Sequence, residues 1–298
     1  MDPGGLIVGA GIESTSHIHG LFHHTCIEYE LVTADATVLI ANKYNNSDVF
    51  YAMPMSYGTL GFLTAITIKI YPYKPFLRLE YIPAKSLSDA TNIFTTAVTD
   101  ENDSVEGIMY SRDEGVIMAG NFVEDAEVET HLVNSIGLWY KPWFYLHAMS
   151  ALTKGRRVEY VPTLQFHQRH NKGYFWLTHF FLPYGHKLLF RLLFGWMLPL
   201  NFQFMQAVKE LVKSKEDHPK ANFIVQDFLL PLNDLENSLN FLWETLEINP
   251  VWLVPAKVVM DEDLIIDMIP KTNSTIYVDI GVYGCSPKIG GDGGGNRE

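Results

Sequence analysis

The sequence predicts an α+β fold with a mostly antiparallel sheet. Short runs rich in Val, Ile and Thr alternate apolar with polar residues. The order strand, helix, strand, strand occurs over residues 76–122 and again over 223–284. Pro72 and Pro75 set these two units apart from a shorter β-rich stretch before them. Two such units can pair into one sheet with their helices on one side. The expected organisation is a β-rich part at 1–73, a larger α+β part at 74–284 and a disordered Gly-rich tail at 285–298.

Within the first part, CIEYELVT (26–33) and VLIA (38–41) read as strands. A short helix opened by Asn45-Asn46-Ser47-Asp48 follows, then a strand in FLTAITIKIY, with Thr64, Ile66, Ile68 and Ile70 on one face and Ala65, Thr67 and Lys69 on the other. In the larger part FLRLEYI (76–82) alternates Leu77, Leu79 and Tyr81 with Arg78 and Glu80, as a half-buried strand does. Leu87, Ala90, Ile93, Phe94, Ala97 and Val98 then recur at helical spacing. VEGIMY and GVIMAGNF, joined through Ser111-Arg112-Asp113-Glu114, form a hairpin. The same grammar returns in FIVQDFLL, a helix with Leu235, Leu239, Leu242 and Leu246 on one stripe, VWLVPAK and TIYVDIGVYG. The intervening residues 123–220, rich in aromatics and His, read as helical and loop elaborations.

A chain of 298 residues, 47% hydrophobic, has ample material for a core. Its 34 acidic against 22 basic residues give a net charge of −12, and no basic stripe of a nucleic-acid binder is evident. Cys26 and Cys285, far apart, make no disulfide framework. His17, His19, His23 and His24 crowd one segment, but no Cys or carboxylate completes a metal-ligand set, so no metal is expected. Leu188 to Phe204 is the most apolar stretch. Arg191 and Pro199 interrupt it, and it falls short of a membrane span. It reads first as a buried core helix, with a membrane-surface segment as the alternative.

The first residues carry the most informative motif. GGLIVGAGIES (4–14) sets four glycines around an apolar run. As a dinucleotide fingerprint it fails: after Gly9 and Gly11 the third glycine is replaced by Ser14, and STSHIHG lacks the periodicity of the helix that should follow. Two readings remain. One is a loop offering backbone amides and the hydroxyls of Ser14, Thr15 and Ser16 to a phosphate or ring edge; the other is a tight turn in which glycine only supplies positive φ.

Neighbouring motifs weigh on the choice. GGLIVGAGIESTSHIHGLF, a strand ending VTAD, NNSDVFYAM and SYGTLGFLTAITIKIYP together resemble, in order and spacing, the second half of the FAD-binding domain of vanillyl-alcohol-oxidase-type (PCMH-type) enzymes. NSIGLWYKPWF (134–144), Arg169-His170 with Phe175-Trp176 five residues on, FRLLFGWMLP, IVQD (224–227) and YVDIGVYG (277–284) resemble the delta-24-sterol reductase family, including its plant Diminuto-type members. The resemblance runs over nearly all of 4–284.

What the resemblance implies is specific. It implies the second half of the flavin domain followed by an α+β cap domain, FAD as cofactor, NADPH as reductant and a sterol side-chain double bond as the group reduced. It also implies an endoplasmic-reticulum membrane location on the cytosolic face, with membrane association of the full-length protein. Main-chain flavin contacts would come from Gly4, Gly5, Leu6, Ile7, Val8, Gly9, Ala10, Gly11, Ile12, Glu13, Ser14, Thr15 and Ser16, and from Gly61, Phe62 and Leu63 of the Gly58-x-x-Gly61 segment. The family carries an anchor and the other half of the flavin domain ahead of this loop, and after Gly284 the pattern is lost. The chain is therefore expected to be truncated at both ends and to retain FAD weakly. Ala36 stands where the family commonly has a turn glycine, so strain is expected there.

Reducing an isolated carbon–carbon double bond needs a hydride from reduced flavin and a proton from an acid. Candidate acids are His170, Tyr174 and Tyr277, with Arg169 or Glu13 as orienting groups; the aromatics of FHQRHNKGYFW (166–176) are candidates to line a flat apolar pocket. Two rivals stay open: an alcohol or lactone oxidase on the same scaffold, and a non-catalytic fragment that binds a hydrophobic ligand or a partner.

Overall fold

The computed structural model describes residues 3–198, 223–258 and 275–287. Among the described residues ten strands form two sheets. In the first part Cys26–Val32 (β1), Val38–Asn42 (β2) and Phe62–Ile68 (β3) make an antiparallel sheet in the order β2-β1-β3. The other strands are Phe76–Ala84 (β4), Ser104–Met109 (β5), Gly115–Val123 (β6), Arg157–Pro162 (β7), Phe223–Pro231 (β8), Val251–Lys257 (β9) and Ile276–Cys285 (β10). They make a seven-stranded, wholly antiparallel sheet in the order β7-β4-β6-β5-β9-β10-β8. Two strand–helix–strand–strand units meet at the β5–β9 pair, as the doubled grammar predicts.

Alternation along these strands assigns each face. Val105, Met109, Ile117, Leu253, Val278 and Ile280 face the helices Leu87–Ala97 and Leu235–Thr245, whose Leu87, Ala90, Phe94, Leu235, Leu239 and Leu242 complete that core. Ser86 caps the first helix by accepting the Asp89 amide. The opposite face, with Leu77, Leu79, Tyr81, Ile108, Met118, Trp252 and Val254, is covered by Trp143, Phe144, Phe166 and Trp176 from the aromatic segment. Sheet and helices therefore sit in a three-layer arrangement, buried on both sides.

Several expectations need correction. The segment 123–220 was expected to be helix and loop, but Arg157–Pro162 pairs with β4 as an edge strand. Its charged Arg157 and Glu159 find partners there, so its polar sequence hides a strand. The strict alternation expected for β3 also breaks: Leu63 and Ile66, three apart, both pack on the small core, because the β1–β3 register shifts between Glu30 and Leu31. Ile70 is exposed beyond the strand end. The tail was set to begin at 285, yet Cys285 closes β10 and Ser286 is buried, its hydroxyl donating to the Leu246 carbonyl; the rest of that prediction, 288–298, lies outside the described residues.

The apolar stretch from Leu188 is corrected as well. Its described part is a short helix, Leu188–Phe194, with no buried residue, so it is not a core helix; positions 199–204 lie outside the described residues. Among the described residues no helix is long and apolar enough to cross a membrane. Ala36 does sit in the left-handed region, at φ +65, in the turn between β1 and β2.

Candidate functional site

The glycine stretch is not the open loop that its composition suggests. Pro3–Val8 is a helix, with Pro3 at its first residue, where a missing N–H costs nothing. Gly4 and Gly5 disfavour helix by about 1 kcal/mol each, but Ile7 is fully buried against Tyr29, Leu31 and Met53. Tertiary packing overrides propensity. The Gly9 and Gly11 amides donate to the carbonyls of Gly5 and Leu6, the Glu13 amide to the Ser16 hydroxyl, and the Ser16 amide to the Glu13 carbonyl. Ser14 and Ser16 are buried. These amides and the Ser16 hydroxyl are thus committed within the segment, not offered outward.

What the segment does offer is placement. The amides of Met55 and Tyr57 donate to the carbonyls of Ile7 and Val8, so the segments around Gly9 and Gly58 run side by side. Gly58, at φ +77, has open space where a side chain would stand. At Gly61, φ +151, a Cβ would meet the Val32 carbonyl at 2.6 Å. Gly5, Gly9, Gly58 and Phe62 are exposed along this rim.

Beyond Gly11 the chain crosses to the large sheet. Strands β5 and β9 pair only through Gly107–Met109. Before Gly107 the Val105 amide instead donates to the Ser14 carbonyl, and Ser16–His19 packs on β9. Glu13 is thereby brought to the aromatic face of the sheet, where a buried polar network centres on Glu106 of β5.

Glu106 is fully buried and gathers four donors. Arg169 Nε and Nη2 donate to its two oxygens at 2.7 and 3.0 Å, Trp252 Nε1 donates at 3.0 Å, and His170 Nε2 lies 3.2 Å away. Burial by itself would raise this carboxyl's pKa, but Arg169 and His170 hold it well below the usual carboxylate range. Glu106 is therefore a carboxylate, and the facing His170 Nε2 must carry the proton. Burial, reinforced by Arg169, pushes His170 down to about 4, so the ring is neutral near pH 7. Its buried Nδ1 has no partner and is an acceptor. The ring stacks on Phe175 at 4.1 Å, and the Arg169 guanidinium lies 4.1 Å over Phe166. Glu13 approaches Arg169 Nη2 at 3.9 Å.

A second carboxyl cluster lies on the same face. Asp227 (β8) stands opposite Gly281 (β10), and its diagonal neighbours across the pair are Asp279 and Tyr283. The Tyr283 hydroxyl donates to Asp227 Oδ1 at 2.5 Å; a Cβ at Gly281 would lie 2.6 Å from that hydroxyl. Asp279 is buried with Oδ2 unpartnered, and burial together with the Asp227 charge raises its pKa well above the carboxylate range. Both causes favour its neutral, protonated form. Tyr277, two residues earlier, is fully buried on the same face.

Of the sequence candidates, Glu13, Arg169 and His170 come together. Tyr277 lies on the same sheet face, with Asp279 beside it, and Tyr174 is 40% exposed in a left-handed conformation. The aromatics of 166–176 are largely spent on packing: Phe166 and Trp176 are buried in the layer, and Trp176 Nε1 donates to the Tyr283 carbonyl. Sequence reasoning missed Glu106, Asp227 and Asp279. The available signal was a carboxylate at an inward position of an otherwise apolar strand, as in VEGIM and YVDIG. A cavity of about 750 Å³ opens on the small sheet among His23, Tyr29, Asn42, Tyr44 and Lys69; none of Gly4 to Ser16 or Gly61 to Leu63 lines it. Among the described residues no group of three or more His, Cys, Asp or Glu side chains has the geometry to hold a metal.

No family model matches the chain. Over 291 residues, 96% of its length, it is 41% identical to the delta(24)-sterol reductase of Macaca fascicularis. Over 303 aligned residues, 94% of its length, it is 35% identical to the delta(24)-sterol reductase of Arabidopsis thaliana. The chain spans 54% of each of these relatives, about half. Among solved structures, the VAO-type flavoprotein MtVAO615 of Myceliophthora thermophila C1 superposes on 94% of the chain and 46% of its own, with a TM-score of 0.50 and 11% identity, a likeness of fold alone. The resemblance read from the motifs and the α+β class both stand: this chain is a homologue of the delta(24)-sterol reductases over nearly all of its length, built on the fold of the VAO-type flavoproteins.

Proposed function

We propose that the chain belongs to an FAD-dependent oxidoreductase that reduces the side-chain double bond of a sterol with NADPH, working at the endoplasmic-reticulum membrane. The observation that carries this reading is the identity of up to 41% with delta(24)-sterol reductases across 96% of the chain. In domain terms, 1–73 supplies part of the flavin-binding domain and 74–284 the cap.

The residues present fit one wall of a flavin site. The adjacent rims at Gly5, Gly9 and Gly58 lack side chains, and Phe62 is exposed beside them. On this reading these bare rims and Gly61 to Leu63 pack against the cofactor through exposed backbone, with the Gly9 and Gly11 amides spent inside the segment, and Glu13 ties that wall to Arg169. When bound, FAD supplies the hydride. The protein's part is to orient the alkene and deliver a proton.

His170 is poorly suited to be the acid, since its single proton faces Glu106 and its free nitrogen accepts. It orients a hydroxyl or another donor. The proton comes from the Tyr277–Asp279 strand, where a neutral carboxylic acid and a tyrosine share one face. The test is anaerobic reduction of the flavin by NADPH followed by reoxidation with a sterol bearing a side-chain double bond. Asp279→Asn and Tyr277→Phe should slow the sterol step and spare the NADPH step. Flavin reduced by an alcohol and reoxidised by oxygen, with no response to the sterol, would overturn the assignment in favour of an oxidase.

A further inference from the structure

The helix Leu188–Phe194 and its single-turn continuation, Gly195–Met197, have only Gly195 buried. Leu188, Leu189, Leu192, Leu193, Trp196 and Met197 all face outward, with Leu189 69% and Trp196 68% exposed. The strip is fixed in place. Arg191 Nε donates to the His186 carbonyl at 3.1 Å, and its Nη1 donates to the Tyr140 carbonyl at 2.7 Å. This joins the strip to the exposed Leu138, Trp139 and Tyr140. A monomer in water rarely leaves so much apolar surface contiguous.

Charge says what covers it. The chain as a whole is −12, but the strip is bordered by cations: Lys141, Lys187 and Arg191 stand beside it and Lys172 Nζ donates to the Leu138 carbonyl, whereas Arg156, Arg157 and Arg169 are paired away from it with Glu80, Glu159 and Glu106. Lys187 immediately precedes the strip's first turn, Arg191 reaches from it to the Tyr140 carbonyl, and Lys141 follows Trp139 and Tyr140. Leucines flanked by Trp and Tyr, with cations behind them, match the boundary of a bilayer. There apolar side chains enter the acyl region, indole and phenol rings sit at headgroup depth and cations meet anionic lipid.

We propose that this face, Leu138–Tyr140 with Leu188–Met197, docks the protein on an anionic membrane surface in the plane of the lipid headgroups, without spanning the bilayer. The inference is independent of the flavin assignment.

Vesicle flotation tests it with the chain as it is. Phosphatidylcholine vesicles containing phosphatidylserine should carry the protein upward. Removing phosphatidylserine or raising salt should weaken binding several-fold. The exposed double substitution Leu189→Glu/Leu193→Glu should cut it by roughly ten-fold or more, since two leucines no longer enter the acyl region. Unfolding temperature should be unchanged in that variant, because both side chains are exposed. Quenching by brominated lipid, measured as the difference between the protein and Trp196→Phe, should place Trp196 at the interface. Protein that stays unbound with both vesicle types would overturn the proposal. So would equal flotation of the double variant, or a concentration-dependent dimer abolished by the same variant without lipid binding.

Discussion

Glu106→Gln is the perturbation that asks most of the network on the aromatic face. Four N–H groups converge on two carboxylate oxygens, from Arg169 twice, Trp252 and His170. Glutamine keeps the shape but offers one oxygen and adds two donors, so its amide nitrogen must face at least one N–H. It also leaves the Arg169 guanidinium buried without a counter-charge, with Glu13 at 3.9 Å the next carboxylate. Removing one member of a buried pair costs about 3–5 kcal/mol. For a chain of this size that lowers the unfolding temperature by on the order of 10 °C. Thermal and urea unfolding at neutral pH read it directly. The variant should also lose part of the acid sensitivity. Because the native Glu106 pKa is depressed, its contribution is complete above the unfolded value near 4.5 and is lost as pH falls below it. A Glu106→Gln protein within about 1 kcal/mol of the parent would refute the reasoning, for the cost of a lost ion pair would be missing. Replacing both partners, as in Glu106→Leu with Arg169→Met, should cost less than either single change, because no charge is left stranded.

Other outcomes follow from the same structure. Ala36→Gly should stabilise by about 1 kcal/mol, since φ +65 is left-handed and glycine carries no penalty there; a loss in urea unfolding would contradict it. Asp279→Asn should be close to neutral in acid. It should gain on the parent as pH rises: the native carboxyl titrates above its unfolded value, so the parent's stability falls once the unfolded group ionises, and parallel pH–stability curves would contradict this. His170 at about 4 and His23 at about 3 are both held neutral by burial, while the unfolded chain protonates below 6.5. Stability should therefore drop as pH falls from 6.5 toward 4, by on the order of 3 kcal/mol for His170 alone, and His170→Phe should flatten that slope.

The large sheet was legible because its strands are apolar runs bounded by turns: VWLVPAK, preceded by Asn249-Pro250 and closed by its own Lys257, is β9 residue for residue. The edge strand β7 was not, because Arg157 and Glu159 look like solvent residues until Asn134 and His147 are placed beside them. The helix at Pro3–Val8 runs against its own glycines and exists through Ile7 in the core. Glu106 escaped notice because Val-Glu-Gly in a hairpin strand reads as half-exposed. The aromatic cover of Trp143, Phe144, Phe166 and Trp176, with Ser14 to His19 filling the splay between β5 and β9, closes this face. Single-sequence patterns register local periodicity; the partners of a buried charge come from distant segments. Resemblance pointed to the sterol-reductase relatives, and packing supplied which of the named residues meet.

On the proposed function the rims around Gly9 and Gly58 form a wall against flavin. Hydrogen–deuterium exchange of the chain at saturating FAD tests it most directly. Slower exchange confined to residues 9–16 and 56–63 is the expected result; unchanged exchange there, or protection at the His23 and Lys69 cavity in its place, would contradict it.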